Sequence, residues 1–564
     1  MTEPSTTTKP HDANFSAFIQ DRSLYFWEAF NMATTHTTLQ APFETISLAS
    51  RSQNEDPPET RRAGRVFEAD PAFTTSPASR RLIISLLVCA NTIQFMSNCV
   101  TIAGGLALSK DLGRESGPGK ANWMVASYPL TQGAFVLVTG RLGAIYGHSQ
   151  LTLLGCAIFT LFSLINAFTK TYDSFIAMRA LTGVGGGVFM PNAVSIITTM
   201  VPPGRSRNVV LGFFAASPPL GGMIGALFAG VFIDNVNWMW LFVLIAGIAA
   251  FNLAWLAYLM PKETPVDKGG HIDIPGIILG LGSLLLFNVV CNQAPSAGWN
   301  APYEIALLVL SVVMFLAFLL WEKRYAKDPI MPLSVFQAPT FTALVFVVLL
   351  SYMAFGIGLW YSTSWQYLLR GVSVTRIGIH WVPFGLSSVL AVFIAAWLIP
   401  RVAAQWIMAI GVTVTLVGNI LLATMPVQQT YWAQVFPAMV LYGFCPDLVY
   451  VAAQVIASNS VNRRQQGVAS SLIGTLNLYG NSLGQGFAGT IETEIGTNNN
   501  DEVRGYRAAL YFAAGLAMLG LALDILFVRV PKDQREGWDD PSDSGEQELN
   551  GMTTAIEGRA SLRT

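Results

Sequence analysis

Long apolar runs alternate with short polar breaks along most of the chain. A run needs about 20 mostly apolar residues to cross a hydrocarbon core, and polar or Gly/Pro punctuation separates about fourteen of them here. Their expected limits are about 82–108, 121–140, 150–169, 173–200, 209–233, 238–260, 273–292, 303–321, 341–365, 376–399, 406–425, 432–458, 466–491 and 507–528. Such a pattern predicts an all-α integral membrane protein, because a helix satisfies its own backbone hydrogen bonds in lipid. An even number of spans puts both tails on one side. Loops on that side hold about eleven Lys and Arg against about eight opposite, and Arg80, Arg81, Arg529, Lys532 and Arg535 add to the excess. Both termini are therefore expected in the cytosol, with the plasma membrane as the site.

Composition agrees with this pattern. Of 564 residues, 52% are hydrophobic and only 12% charged, against about 25% charged in an ordinary soluble domain. A net charge of −1 without a basic stripe excludes nucleic acid as a partner. Five cysteines fall in apolar runs without paired spacing, so they read as small core residues rather than a disulfide or zinc framework. No secretory-signal pattern opens the sequence. Residues 1–80 are expected to be a disordered cytosolic tail, within which the aromatic stretch "FSAFIQDRSLYFWEAF" (15–30) reads as a surface helix or docking peptide. Residues 531–564 are expected to be a second such tail.

A weak internal repeat is visible. "FMPNAVSIITTM" and "FCPDLVYVAAQV" place Asn192 and Asp447 at matching points of spans 4 and 12, and "GALFAG" (225–230) matches "GQGFAG" (484–489) in the spans that follow. Repeats related by an axis along the membrane normal are a common transporter design. The expected organisation is a six-helix half over 81–260, an inserted helix pair with linkers over 261–338, and a second six-helix half over 339–530.

Several residues stand out against their apolar setting. Asp447 interrupts a hydrophobic helix, where a carboxylate costs roughly 2.5–3.5 kcal/mol and persists where it lines a polar pathway or has a partner. Burial disfavours the charged form of a carboxyl, which suits a group that takes up and releases a proton. Arg179 in span 4 cannot shed its proton and needs a carboxylate, carbonyls or water. Asp447 is a candidate for proton coupling, and Arg179 a candidate functional residue. Asn192, Gln454, Gln94 and Asn98 are candidate polar contacts for a solute. Trp360, Tyr361 and Trp365 cluster at the end of span 9, as an interfacial aromatic belt or as an aromatic vestibule. Gly140, Arg141 and Gly147 form a punctuated turn between spans 2 and 3. In span 5, Pro218 and Pro219 break the hydrogen-bond ladder and allow a bend, while Gly221, Gly222 and Gly225 offer close packing.

These motifs resemble those of the major facilitator superfamily. "GRLGAIYGH" (140–148) is similar to its loop motif G-x-L-x-D-x-x-G, with Ala144 where the family has aspartate, which puts the inward-gate latch in question. "RALTGVG" (179–185) is similar to its R-x-x-[QT]-G-x-G motif, whose arginine is associated with proton coupling. "SPPLGG" (217–222) resembles the G-P-x-x-G-G motif of drug:proton antiporters, with Ser217 for glycine. Together with "PPGRSRN" (202–208) and "PDLVYVAAQVIASNSV" (446–461), they look like the fungal fourteen-span drug:proton antiporters of the aminotriazole-resistance-like group. That resemblance implies export by alternating access, with a small-molecule substrate, protons and the lipid bilayer as partners, no cofactor, and a monomer. Span 1 offers Gln94, Ser97 and Asn98 where many relatives carry an acid, which leaves Asp447 as the foremost proton site. No nucleotide-binding loop, metalloprotease motif or serine-hydrolase elbow occurs, so an enzyme is not expected. A carrier of a small polar solute or ion is the alternative; a nutrient sensor with little transport is another.

Overall fold

The computed structural model describes residues 76–529, apart from 115, 202–204, 262, 264, 266, 269, 327–330, 332, 338, 462–464 and 500. The aromatic stretch 15–30 lies outside the described residues, as do nearly all of both expected tails. The helices are α1 (Pro77–Asp111), α2 (Trp123–Tyr146), α3 (His148–Ala167), α4 (Tyr172–Met200), α5 (Arg205–Asn235), α6 (Trp238–Leu259), α7 (Ile274–Ala297), α8 (Pro302–Arg324), α9 (Pro339–Ser364), α10 (Val374–His380), α11 (Val382–Leu398), α12 (Ala404–Ala423), α13 (Val435–Ser460), α14 (Gln466–Asn499) and α15 (Glu502–Phe527). Helix α1 starts inside the stretch expected as tail, because Ser76 Oγ caps it by accepting from the Ser79 N–H at 3.2 Å and Pro77 suits the first turn.

Among the described residues, twelve segments are long and apolar enough to cross a membrane. The more polar α2 and α14 complete the fourteen, with α10 and α11 forming one span. That span breaks at the fully buried Trp381, where Pro383 has no N–H to return to Ile379.

Contacts repeat between the halves. Helix α1 packs on α5 as α9 packs on α14, α2 on α4 as α11 on α13, and α3 on α6 as α12 on α15. The matched glycines make matched contacts. A Cβ on Gly221 would come within 2.9 Å of Met96 N and one on Gly225 within 3.0 Å of Met96 C, in α1; on Gly480 and Gly484 it would meet Leu349 O at 2.9 Å and Met353 O at 2.8 Å, in α9. Helix α7 packs against α2 and α14, and α8 packs outside it. Across the halves, α2 lies on α14 and α5 on α10 and α11.

Proline positions explain several cross-helix bonds. Pro218 leaves the Phe214 carbonyl without its usual donor. Ser217 Oγ donates to it at 2.7 Å and Asn91 Nδ2, from α1, at 3.3 Å; Asn91 Nδ2 also reaches Ser217 Oγ at 2.8 Å. Helix α5 consequently runs unbroken through the prolines. Pro191 likewise frees the Gly187 carbonyl, and Thr139 Oγ1 of α2 donates to it at 2.7 Å.

Candidate functional site

Asp447 sits near the middle of α13 and is almost fully buried. Ser388 Oγ of α11 donates to its Oδ2. The approach depends on Gly443, one turn earlier, where a Cβ would meet the Phe384 carbonyl at 2.5 Å and Ser388 N at 2.9 Å. Beside the carboxylate stands an aromatic cluster from α9, α11 and α13. Phe355 lies 5.9 Å from Tyr442 and 6.3 Å from Phe384, Trp381 lies 5.4 Å from Phe384, and Tyr352 donates its hydroxyl to Pro446 O at 2.9 Å. Phe384 reaches the other half, 3.6 Å from the point a Cβ on Gly222 would occupy.

Arg179 is wholly enclosed in the first half. Its Nη1 donates to Ser97 Oγ at 2.8 Å and its Nη2 to Ser97 O at 3.1 Å and Thr101 Oγ1 at 3.5 Å, while the Tyr128 ring lies 4.7 Å from Cζ. No ion pair with Asp447 forms. Gln94 faces the same interior from α1, and Asn98 is buried on that helix; the side-chain oxygens of both have no protein partner.

Other expected residues are placed elsewhere. Asn192 binds locally, its Nδ2 donating to Val188 O at 2.7 Å and Thr139 O at 3.3 Å, with His148 Nδ1 at 2.8 Å from its Oδ1. Gln454 Nε2 donates to Ser470 O at 3.2 Å, joining α13 to α14. Trp360, Tyr361 and Trp365 are fully buried, which rules out an aromatic belt facing lipid headgroups. They also separate: Trp360 Nε1 donates to Pro118 O at 3.2 Å across the halves, whereas Tyr361 and Trp365 pack on Tyr506 of α15.

The turn between α2 and α3 is clamped from a segment the motif did not point to. Gly147 has φ +101°, a conformation that favours glycine. Arg141 pairs with Asp267 at 2.8 Å, the Asp267 N–H donates to Ala144 O at 2.9 Å, and Glu263 Oε2 accepts from Ser149 N at 2.9 Å. The linker between α6 and α7 thus supplies a carboxylate beside the position where the loop motif lacks one. Side chains of similar polarity join the halves on the side where α1 ends and α15 begins. Asp234 of α5 accepts from the Thr375 N–H and hydroxyl, each at 2.7 Å, and Glu492 of α14 accepts from Gly119 N at 2.9 Å.

Comparison with known proteins places this architecture. Residues 86–484 and 341–552 match the Major Facilitator Superfamily. The chain belongs to that superfamily. Among its relatives in Saccharomyces cerevisiae are the low affinity ammonium transporter, 33% identical over 72% of this chain and 80% of that one, and the aminotriazole resistance protein, 32% identical over 75% and 79%. Efflux pump terJ of Aspergillus terreus is 32% identical over 72% of this chain and 80% of its own. These relatives bear out the resemblance to the fungal drug-efflux group. A solved bacterial homologue of the human lysosomal transporter Spinster, inward-facing and occupied, shares the fold of this facilitator, with a TM-score of 0.56 and 14% identity over 80% of this chain and 97% of that one.

Proposed function

We propose that this facilitator is a proton-coupled exporter of hydrophobic compounds in the plasma membrane, with both termini in the cytosol. Asp447 carries the reading: a buried carboxylate beside aromatic rings that reach from one half toward the other offers a proton site next to an apolar surface. In the cycle, the inward-facing form binds the compound, and the outward-facing form releases it as a proton binds Asp447. Proton and compound must favour different states, since only a difference in affinity drives an equilibrium. The names of relatives as an efflux pump and a resistance protein support export. Collapse of the proton gradient with an uncoupler should abolish export of a fluorescent hydrophobic compound from expressing cells; undiminished export sinks the proposal. A carrier of small polar solutes is the second reading, favoured by the polar side chains enclosed around Arg179 and by the relative named for ammonium. Under that reading, export of the fluorescent compound would be absent with the gradient intact.

A further inference from the structure

The interior of the first half holds a positive charge with no negative counterpart. Arg179 has no exposed surface, and no Asp or Glu among the described residues forms an ion pair with it. A guanidinium enclosed this way is costly unless paired or solvated by dipoles. Its partners are the Ser97 hydroxyl and carbonyl, the Thr101 hydroxyl and the Tyr128 ring, and its Nε has no protein partner.

Around it, other polar atoms are also left over. Tyr128 OH, Gln132 Nε2 and Gln94 Oε1 lie 2.8, 3.0 and 3.1 Å from the point a Cβ on Gly186 would occupy, and none has a hydrogen-bond partner in the protein. Buried polar groups ordinarily find partners, so a convergence of unpartnered ones from α1 and α2 on a glycine of α4 has the makings of a ligand site. Tyr128 joins the two parts, its ring under the guanidinium and its hydroxyl at Gly186. Donors from Tyr128, Gln132 and Arg179 suit a negative charge, and the Gln94 amide oxygen suits a ligand or water that also donates.

We propose that α1, α2 and α4 enclose a binding site for a compact monovalent anion, a halide or a small carboxylate, held by Arg179, Tyr128 and Gln132. This site stands apart from Asp447 and needs no proton gradient. The test is the thermal unfolding midpoint of the purified full-length chain in detergent, at fixed pH and ionic strength, as chloride, bromide, formate or acetate replaces gluconate. A ligand that binds only the folded state raises the midpoint saturably. The expected result is such a rise, with apparent affinity about tenfold or more weaker in Arg179→Gln, since a charge-assisted bond is lost. Gln132→Leu, which keeps the charge, should also weaken it, and serves if Arg179→Gln does not fold. Asp447→Asn should respond like wild type, which separates this site from the proton-coupled reading. In proteoliposomes, flux of labelled formate would make the anion cargo and binding without flux would make it a resident counter-ion; either supports the site. The proposal is overturned if none of the four anions stabilises the wild type, or if both site variants respond as wild type does.

Discussion

Asn91 shows how one side chain can decide a helix interface. Its amide serves a carbonyl that Pro218 leaves free and the hydroxyl of Ser217, both in the neighbouring helix. Asn91→Ala should lower stability by about 0.5–1.5 kcal/mol, the usual net worth of a hydrogen bond, because Ser217 Oγ still serves the Phe214 carbonyl; it is read as a lower unfolding midpoint, and an unchanged midpoint would deny the bond its role. The sequence marks Asp447 and Arg179 because charge in an apolar run is conspicuous. Asn91, Ser388 and Gln132 are harder to see, since neutral polar residues are common in spans and only the fold shows which face a freed carbonyl or a carboxylate. Asn192 and Gln454 look like cavity residues by position, yet carbonyls of their own or a neighbouring helix take up their amides. Trp360, Tyr361 and Trp365 look like one cluster in sequence, but a helix directs neighbours to different faces: Tyr361 and Trp365, four apart, both meet Tyr506, whereas Trp360 turns to Pro118 in the other half.

At the scale of helices, glycine placement governs the α1–α5 and α9–α14 seams. Gly225→Ala and Gly484→Ala should each destabilise by about 1–3 kcal/mol, because the added methyl forces apart backbones already in contact. Gly247→Ala in α6, with nothing near its Cβ, is the control and should not lower the unfolding midpoint, since alanine is the better helix former. Equal effects at all three sites would contradict the seam assignment. Span number and the two-half repeat were legible because lipid imposes length and apolarity, and because "GALFAG" and "GQGFAG" keep their glycines for the same contact. The break at Trp381 was not, since Pro383 falls inside a run whose mean hydropathy reads as one continuous span. Nor was the clamp on the α2–α3 turn, whose acids, Asp267 and Glu263, lie in a linker more than a hundred residues further along the sequence.

For the whole molecule, the bonds of Asp234 to Thr375 and of Glu492 to Gly119 tie the halves on the side where α1 ends and α15 begins. Asp234→Ala should favour opening on that side, since it removes two 2.7 Å bonds that cross the halves. With the other cysteines replaced by serine, Cys99, buried between α1 and α5 near Gly222, should then label faster with a maleimide added from that side; an unchanged rate would show that the clasp does not hold the halves. Rocking of this kind drives transport only when coupled to a gradient, and coupling is the claim on which the functional account stands. The decisive measurement is substrate-linked proton flux in proteoliposomes, for wild type and Asp447→Asn, over a panel of hydrophobic and small polar compounds. The account predicts proton movement with a hydrophobic compound in the wild type, and a variant that still binds the compound but no longer couples its flux to protons. Normal coupling in the variant would contradict it.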